Sequence, residues 1–528
     1  MFDLVITGGT VIDGSGDAAI RRDVGVVGQM IEAVDDLTGA QARQVINACG
    51  LAVCPGFIDP HTHSETILLD DPQHAPGLRQ GITTEIFGLD GMSIAPLSAN
   101  NYRLYRRYLA GLLGKPNGNL DVSSITALRG HYHNKVAVNT AYLVPLGAVR
   151  LETVGFHDVP LTGDVMARAK RIIRDGIAQG AVGFSTGAAY FPGMWSATDE
   201  LIELCTAVRQ AGGVYVCEPR LVLLDRAYEN NGVADALHIA RQSGVRLHFA
   251  HHRTGGENTG NVARFIEPVD RAKAAGVDCT LDIYPYPCGS SIAVAFLPSA
   301  AQEGGADAVL ARLKDSDHCQ KIVDHIDHGH FAPLDEFVFS NVAGQAHLEG
   351  MRLSEVARKR GATLGQTICD ILLESDLQVG YLNAGPQSAA VRQSVDRDAM
   401  ELLARPDYMG CSDITPLGSM PHPRCYGAFA RIVGRLHRQF NTVGLEQLIQ
   451  RLTDNPARRF GLTRRGRVQK GYFADIVVFD PQRVIDTATF DDPKQYPLGI
   501  PYVLVNGQVA VDPQGCTGVL AGQAVPAT

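Results

Sequence analysis

The sequence contains no run of about 18 or more apolar residues, so no segment is expected to span a bilayer as a helix. Its opening, "MFDLVITGG", has no basic stretch, no long apolar core and no small-residue cleavage site, which argues against a secretory signal. Eleven cysteines are present, but the number is odd, no C-x-x-C pair occurs and the spacing fits no disulfide framework. Buried thiols in a reducing cytoplasm are therefore expected. Basic residues are in deficit: 47 Lys and Arg against 56 Asp and Glu give a net charge of −9. That balance argues against nucleic acid or an anionic membrane surface as the main partner, and an anionic substrate would need local arginines. What remains is ordinary globular material, 528 residues at 45% hydrophobic and 20% charged, enough for a large barrel with an accessory domain.

Short β-type runs separated by Gly and Asp turns fill the first fifty residues ("DLVITGG", "TVIDGSG", "DVGVVGQ") and recur in the last sixty ("DIVVFDP", "YVLVNGQVAVDP"). Neither end is large enough for a core of its own. The two are expected to pair into one small β-sandwich, from 1–54 and 467–528. Between them, strand-like stretches ("LAVCPGFID", "GITTEIFGLD", "VNTAYLVPLG", "GAVGFSTG", "GGVYVCEPR", "VRLHFAHH", "VDCTLDIYPY", "YMGCSD") alternate with amphipathic helical ones such as "VMARAKRIIRDGIAQ". Eight strands in that pattern predict a distorted (β/α)8 barrel over 55–466. The long excursion before "YMGCSD" is read in part, at about 290–345, as an inserted subdomain.

In such a barrel the C-terminal strand ends line the active-site mouth. Ionisable residues collect there: His61 and His63 in "DPHTHSE", Asp90, Glu218, His251 with His252, and Asp413. Residues at i and i+2 of an extended chain face one way, so His61 and His63 can share a metal. One H-x-H pair is weak by itself; histidines and carboxylates at five strand ends are stronger.

"PGFIDPHTH" resembles the signature of the amidohydrolase superfamily. "GAVGFSTGAAYFPG", "DIYPYPCGSS", "LPSAAQEGG", "CSDITPLGSMPHPRCYGAFAR", "RRGRVQKGYFADIVVFDP" and "GIPYVLVNGQ" narrow the resemblance to the N-acyl-D-amino acid deacylase family, in family order over nearly the whole chain. The resemblance implies the same barrel, sandwich and insertion. It places His61, His63 and His251 as metal ligands and Asp413 as the catalytic aspartate, which takes a proton from the attacking water and delivers it to the leaving nitrogen. Arg253, Tyr284 and Ser290 stand where relatives hold the substrate carboxylate, with Arg220 and Arg424 as further substrate-binding candidates.

Two ligand positions depart from that pattern. "GLDG" puts Asp90 where the family has a cysteine, and "CEPR" puts Glu218 where a histidine is expected; Leu146 also replaces a frequent histidine. Three readings follow: an intact, oxygen-richer site, a degenerate site without metal, or a shifted register in which Cys217 is the ligand. Both replacements can bind metal, which favours the first. The cofactor expected is a divalent metal, zinc foremost, with manganese or iron as alternatives for a carboxylate-rich site. The activity expected is hydrolysis of a non-peptide C–N amide bond in an N-acyl-D-amino acid. A cyclic amide or imide is the alternative substrate, and a metal-free scaffold the alternative from another class. The partner is then a small molecule carrying a carboxylate, with a homo-oligomer left open.

Several other motifs are read as decoys. "GFSTG" has the spacing of a serine-hydrolase elbow, but Pro192 and Gly193 follow where its helix should begin, so Ser185 is assigned to a strand end. His318, His325, His328 and His330 fall in the expected insertion, and His131 and His133 precede a strand rather than end one. "TGGTVIDGSG" lacks the spacing and the helix of a phosphate loop.

Overall fold

Runs such as Ile82–Phe87, Asn139–Pro145 and Gly183–Gly187 are buried at every residue, the pattern of strands covered on both faces. The structure, a computed structural model that describes residues 1–329 and 333–525, assembles them with Phe57–Asp59, Val214–Glu218, Arg246–Phe249, Cys279–Ile283 and Tyr408–Gly410 into one eight-stranded sheet. Every pairing in it is parallel and follows chain order. These are barrel strands one to eight, and the expected α/β barrel is present. The sheet closes beyond its strand ends: Thr62 bridges Ile414, the His63 amide donates to Ile414 O at 3.0 Å, and the Asp413 amide donates to His61 O at 2.9 Å. The first and eighth strands are therefore stitched together through the residues expected to carry chemistry.

"LAVCPGFID", expected as one strand, is two. Ala52–Pro55 joins the terminal sheets and Phe57–Asp59 opens the barrel. The break falls at Gly56, where a Cβ would lie 2.1 Å from Thr83 Oγ1. Both chain ends do meet. A seven-stranded sheet interleaves Gly515–Cys516, Gln508–Asp512, Tyr502–Val505 and Ile476–Phe479 with Ala52–Pro55, Thr10–Val11 and Ile20–Arg21. A four-stranded sheet of N-terminal strands covers it, and Leu4, Ile6, Val24, Ile46, Val53, Ile476 and Leu504 share one buried cluster.

Between strands seven and eight, Ser290–Ile292, Val338–Val342 and Val379–Leu382 form a three-stranded antiparallel sheet, so the excursion's own elements reach beyond 345. Three helices of the same excursion, Gly305–Lys314, Ser316–His328 and Leu364–Glu374, pack against one another. Among the described residues no helix is long and apolar enough to cross a membrane.

A buried polar knot ties the terminal sheets to the barrel. Arg465 pairs with Asp475, which also accepts from the Asn506 amide at 2.8 Å, and Asn506 Nδ2 donates to Asn139 Oδ1 on strand three at 2.7 Å. Arg465 and Asp475 are each at most 4% exposed, so removing one strands the other's charge. Asp475→Ala should destabilise the protein by about 3–5 kcal/mol, read as a lower denaturant midpoint, with Asp475→Asn closer to wild type.

Candidate active site

The Nε2 atoms of His61 and His63 lie 3.2 and 3.3 Å from Asp90 Oδ2. Asp413 Oδ1 faces the same two nitrogens at 3.7 and 3.4 Å. His251 Nε2 approaches from strand six, 3.8 Å from Asp90 Oδ2 and 3.7 Å from Glu218 Oε1. Two donor triads result, His61–Asp90–His251 and His61–His63–Asp413, each with its ligand atoms within 4.8 Å of one another. Around a tetrahedral metal with bonds of about 2.0–2.2 Å, neighbouring ligand atoms sit roughly 3.3–3.6 Å apart, close to this spacing. Asp90 Oδ1 and Glu218 Oε2 are buried and have no hydrogen-bond partner. Imidazole and carboxylate donors at these distances, with orphaned oxygens among them, fit a divalent cation.

The backbone is bent to make this cluster. Asp90, His251 and Asp413 have φ of +52°, +32° and +52°, a left-handed conformation that costs a non-glycine residue about 1–3 kcal/mol. At Asp90 the chain passes tightly against strand four: a Cβ on Gly187 would lie 2.2 Å from Asp90 O. At His251 the amide is held at 2.6 Å by Asp282 Oδ1. The other Asp282 oxygen meets His248 Nε2 at 2.9 Å and lies 3.7 Å from His61 Nδ1, so one fully buried carboxylate supports two site histidines.

Charge at the site is unevenly answered. Burial alone would lower the His61 imidazole, but Asp90 and Asp413 outweigh it and hold it well above its ordinary value. Burial likewise opposes His63, yet hydrogen bonding to Asp413 and Asp90 raises it to about 9. Burial would push the Asp413 carboxyl up, but the Arg424 guanidinium and His61 bring it down to about 2. Glu218 goes the other way: burial first, then the Asp90 charge, push its carboxyl well above the carboxylate range.

Above the cluster opens a cavity of about 600 Å³ whose lining includes His63, Asp90, Glu218, His251 and Asp413. Arg253, Tyr284 and Ser290 line the same space. The Tyr284 ring has guanidiniums stacked on it from Arg253 and Arg424, at 4.9 and 4.6 Å. Arg424 is buried; it pairs with Asp413 Oδ2 at 2.7 Å and donates to Ser290 Oγ at 2.9 Å. Gly289 has no room for a side chain, because a Cβ would sit 2.8 Å from Tyr284 Oη.

Arg220 is elsewhere. It is 3% exposed and donates to the carbonyls of Met194 (2.7 Å) and Ser196, so its guanidinium is used in fixing the 194–196 turn rather than in lining the cavity. Cys217 is also off the cluster: burial pushes its thiol up to about 12 beside Tyr215 and Thr186, and the ligand-facing side chain of strand five is Glu218. His252 turns away to bond Tyr408 Oη at 2.9 Å. Leu146 is buried at a helix start outside the cavity lining.

Ser185 is fully buried, receives the Gly91 amide at 3.2 Å and donates to Gly88 O, which makes it a brace for the Asp90 turn. His131 bonds Asp121 O, His133 accepts from the Ala524 amide, and His318 and His328 bond their own helix, while His330 lies outside the described residues. Sequence reasoning missed Tyr190, Ser291, Tyr381 and Asn383, which also line the cavity. Tyr190 sits in the quoted "GAAYFPG"; Tyr381 and Asn383 come from the excursion and carried no local signal.

Residues 44–511 match the Amidohydrolase family. The chain is 32% identical to a D-aminoacylase of Alcaligenes xylosoxydans xylosoxydans, over 100% of this chain and 98% of that one. A crystal structure of D-aminoacylase superposes over 100% of both chains with a TM-score of 0.81 at 30% identity. The N-acyl-D-glutamate deacylase of Bordetella bronchiseptica, solved with zinc and a phosphonate inhibitor, superposes over 100% of both chains with a TM-score of 0.82 at 28% identity.

The Asp282 arrangement gives a first test. Asp282→Asn presents an amide where His248 and His61 need an acceptor, while the backbone contact to His251 can persist. Retention of a divalent metal should weaken about 10–100-fold, measured by titrating metal-stripped protein against a chromophoric chelator.

Proposed function

The chain belongs to the amidohydrolase family, acting through a metal on carbon–nitrogen bonds other than peptide bonds, and within it we propose that this protein is an N-acyl-D-amino acid deacylase. The observation that carries the reading is the cavity itself. His61, His63, His251, Asp90, Glu218 and Asp413 meet at one end of it, and Arg253 with Tyr284 stands on its wall. His61, His63, Asp90, Glu218 and His251 would hold the metal, shared with Asp413. Zinc is the first candidate, and three carboxylates with no thiolate leave manganese or iron as competitors.

A divalent metal supplies Lewis-acid polarisation of the amide carbonyl and makes water a stronger acid. The chain's own groups do the rest. Asp413 stays ionised through neutral pH because Arg424 faces Oδ2, leaving Oδ1, on the histidine side, to take a proton from the attacking water. The same oxygen then delivers that proton to the departing nitrogen, without which an amide nitrogen leaves poorly. Arg253 would grip the substrate carboxylate, with Tyr284 Oη and Ser290 Oγ as neutral donors beside it. Arg424, committed to Asp413 and Ser290, positions both rather than meeting the substrate alone. A cyclic amide without a carboxylate would make no use of Arg253.

Three measurements test this. Plasma mass spectrometry on the purified protein should find at least one divalent metal per chain, greatly reduced in Asp90→Ala/Glu218→Ala; metal-free protein that takes up none of zinc, manganese or iron would sink the reading. On a panel of N-acyl-D-amino acids, Asp413→Asn should lower kcat on the order of 10³-fold. Arg253→Met should raise KM on the order of 10²-fold for acids and spare their neutral amides. Equal losses on both would remove Arg253 from carboxylate recognition.

A further inference from the structure

A second cavity, of about 860 Å³, lies between the helices Gly232–Ser243 and Val262–Ala274. It shares Val233, His252, Asn258 and Phe265 with the cavity over the metal cluster, so the two adjoin at those residues. His252 at this boundary is 5% exposed, with its Nδ1 bonded to Tyr408 Oη at 2.9 Å. Its ring lies against Phe265, centroids 4.3 Å apart.

The groove is graded across its section. Its most buried lining residues are His252, 5% exposed, and Leu237 and Val277, each 9% exposed; the half-buried ones are Val233, Ala234, Phe265, Pro268 and Ala272, with Tyr228, His238 and Asn258. Its arginines, Arg241, Arg264 and Arg271, are exposed and form the rim. A floor with no charged side chain, mainly apolar, under a charged rim suits a flexible hydrocarbon chain, with the charged heads of the rim left in water. On the metal side the apolar lining continues through Val222 to Leu221, which is 70% exposed at the mouth. An acetyl group would occupy a small corner of this space.

We propose that the groove between these helices receives the hydrocarbon tail of the substrate, so that the preferred substrates are amino acids acylated by medium- or long-chain fatty acids. The inference rests on the deacylase reading above and adds the acyl class to it. The reaction is the same hydrolysis: the C–N bond breaks, water supplies the hydroxyl to the acyl carbon and a proton to nitrogen, and a fatty acid and a free amino acid result.

The experiment compares N-acetyl-, N-hexanoyl- and N-decanoyl-D-leucine on the metal-loaded protein and on Ala234→Trp and Ala272→Trp. These positions line the groove but not the metal cavity. From acetyl to decanoyl, kcat/KM should rise at least about 30-fold, far below the roughly fourfold per methylene that complete burial would give. Either tryptophan should collapse the decanoyl-to-acetyl ratio towards one. A flat or falling chain-length profile, or a rise that survives both tryptophans, would overturn the groove assignment and leave the deacylase reading standing. Calorimetry with sodium decanoate separates the two ideas if no acyl amino acid turns over. Binding weakened in both tryptophan variants supports the groove without the deacylase, and equal binding in all three proteins overturns it.

Discussion

Carboxylates packed against one another in a buried barrel mouth repel, and the rest of this site is arranged around that repulsion. Asp413 is answered by Arg424 at 2.7 Å, and Asp282 by His248 at 2.9 Å. Asp90 is answered by His61 and His63. Glu218 is answered less well: its Oε1 lies 3.7 Å from His251 Nε2, and its buried Oε2 has no hydrogen bond. A buried ion without compensation costs several kcal/mol, and the high Glu218 carboxyl pKa is the local expression of that cost. A divalent cation among the three histidines would relieve Glu218 and Asp90 together, so metal uptake and the stability of this region are coupled.

The same constraint explains where backbone strain is stored. Left-handed conformations fall on Asp90, His251 and Asp413, at the ends of strands two, six and eight, and each turns a ligand-capable side chain inward. The strain is held by contacts that leave little alternative: Gly187 against the Asp90 carbonyl, Asp282 on the His251 amide, and the Asp413 amide on His61 O. The last of these also closes the barrel. Loosening the closure would therefore separate His61 and His63 from Asp413 at the same stroke.

Much of this was legible in the sequence because it is local. Strands buried on both faces read as apolar runs, and an ionisable group at a strand end shows as His, Asp or Glu just past the run, as at His61, His63, Asp90, Glu218, His251 and Asp413. Arg220 was misleading for a physical reason. It follows Glu218 by two residues, which in a continuing strand would put both on one face, but the strand stops at Glu218 and the chain turns. Its guanidinium meets carbonyls of the 194–196 turn, a partner sequence spacing cannot supply. The split at Gly56 was invisible for a similar reason, since the crowding comes from Thr83 on the next strand. Tyr381 and Asn383 reach the cavity from a sheet some hundred residues after strand seven begins, through antiparallel pairings with no local signature.

Chemistry and shape thus come from different parts of the chain. Strand ends supply the ionisable groups, fixed by the closed sheet beneath them. The excursion after strand seven and the helices after strands five and six supply the walls, and Ser290 of the excursion touches the cluster through Arg424. His252, at the boundary of the two cavities, serves this division: its Nδ1 is committed to Tyr408, and burial, then His251, discourages its protonation. It separates a charged floor from an apolar groove without adding charge to either. Changes at Val233, Phe265 or Leu237 can therefore alter what fits beside the site while leaving intact the carboxylates and histidines that would act on it.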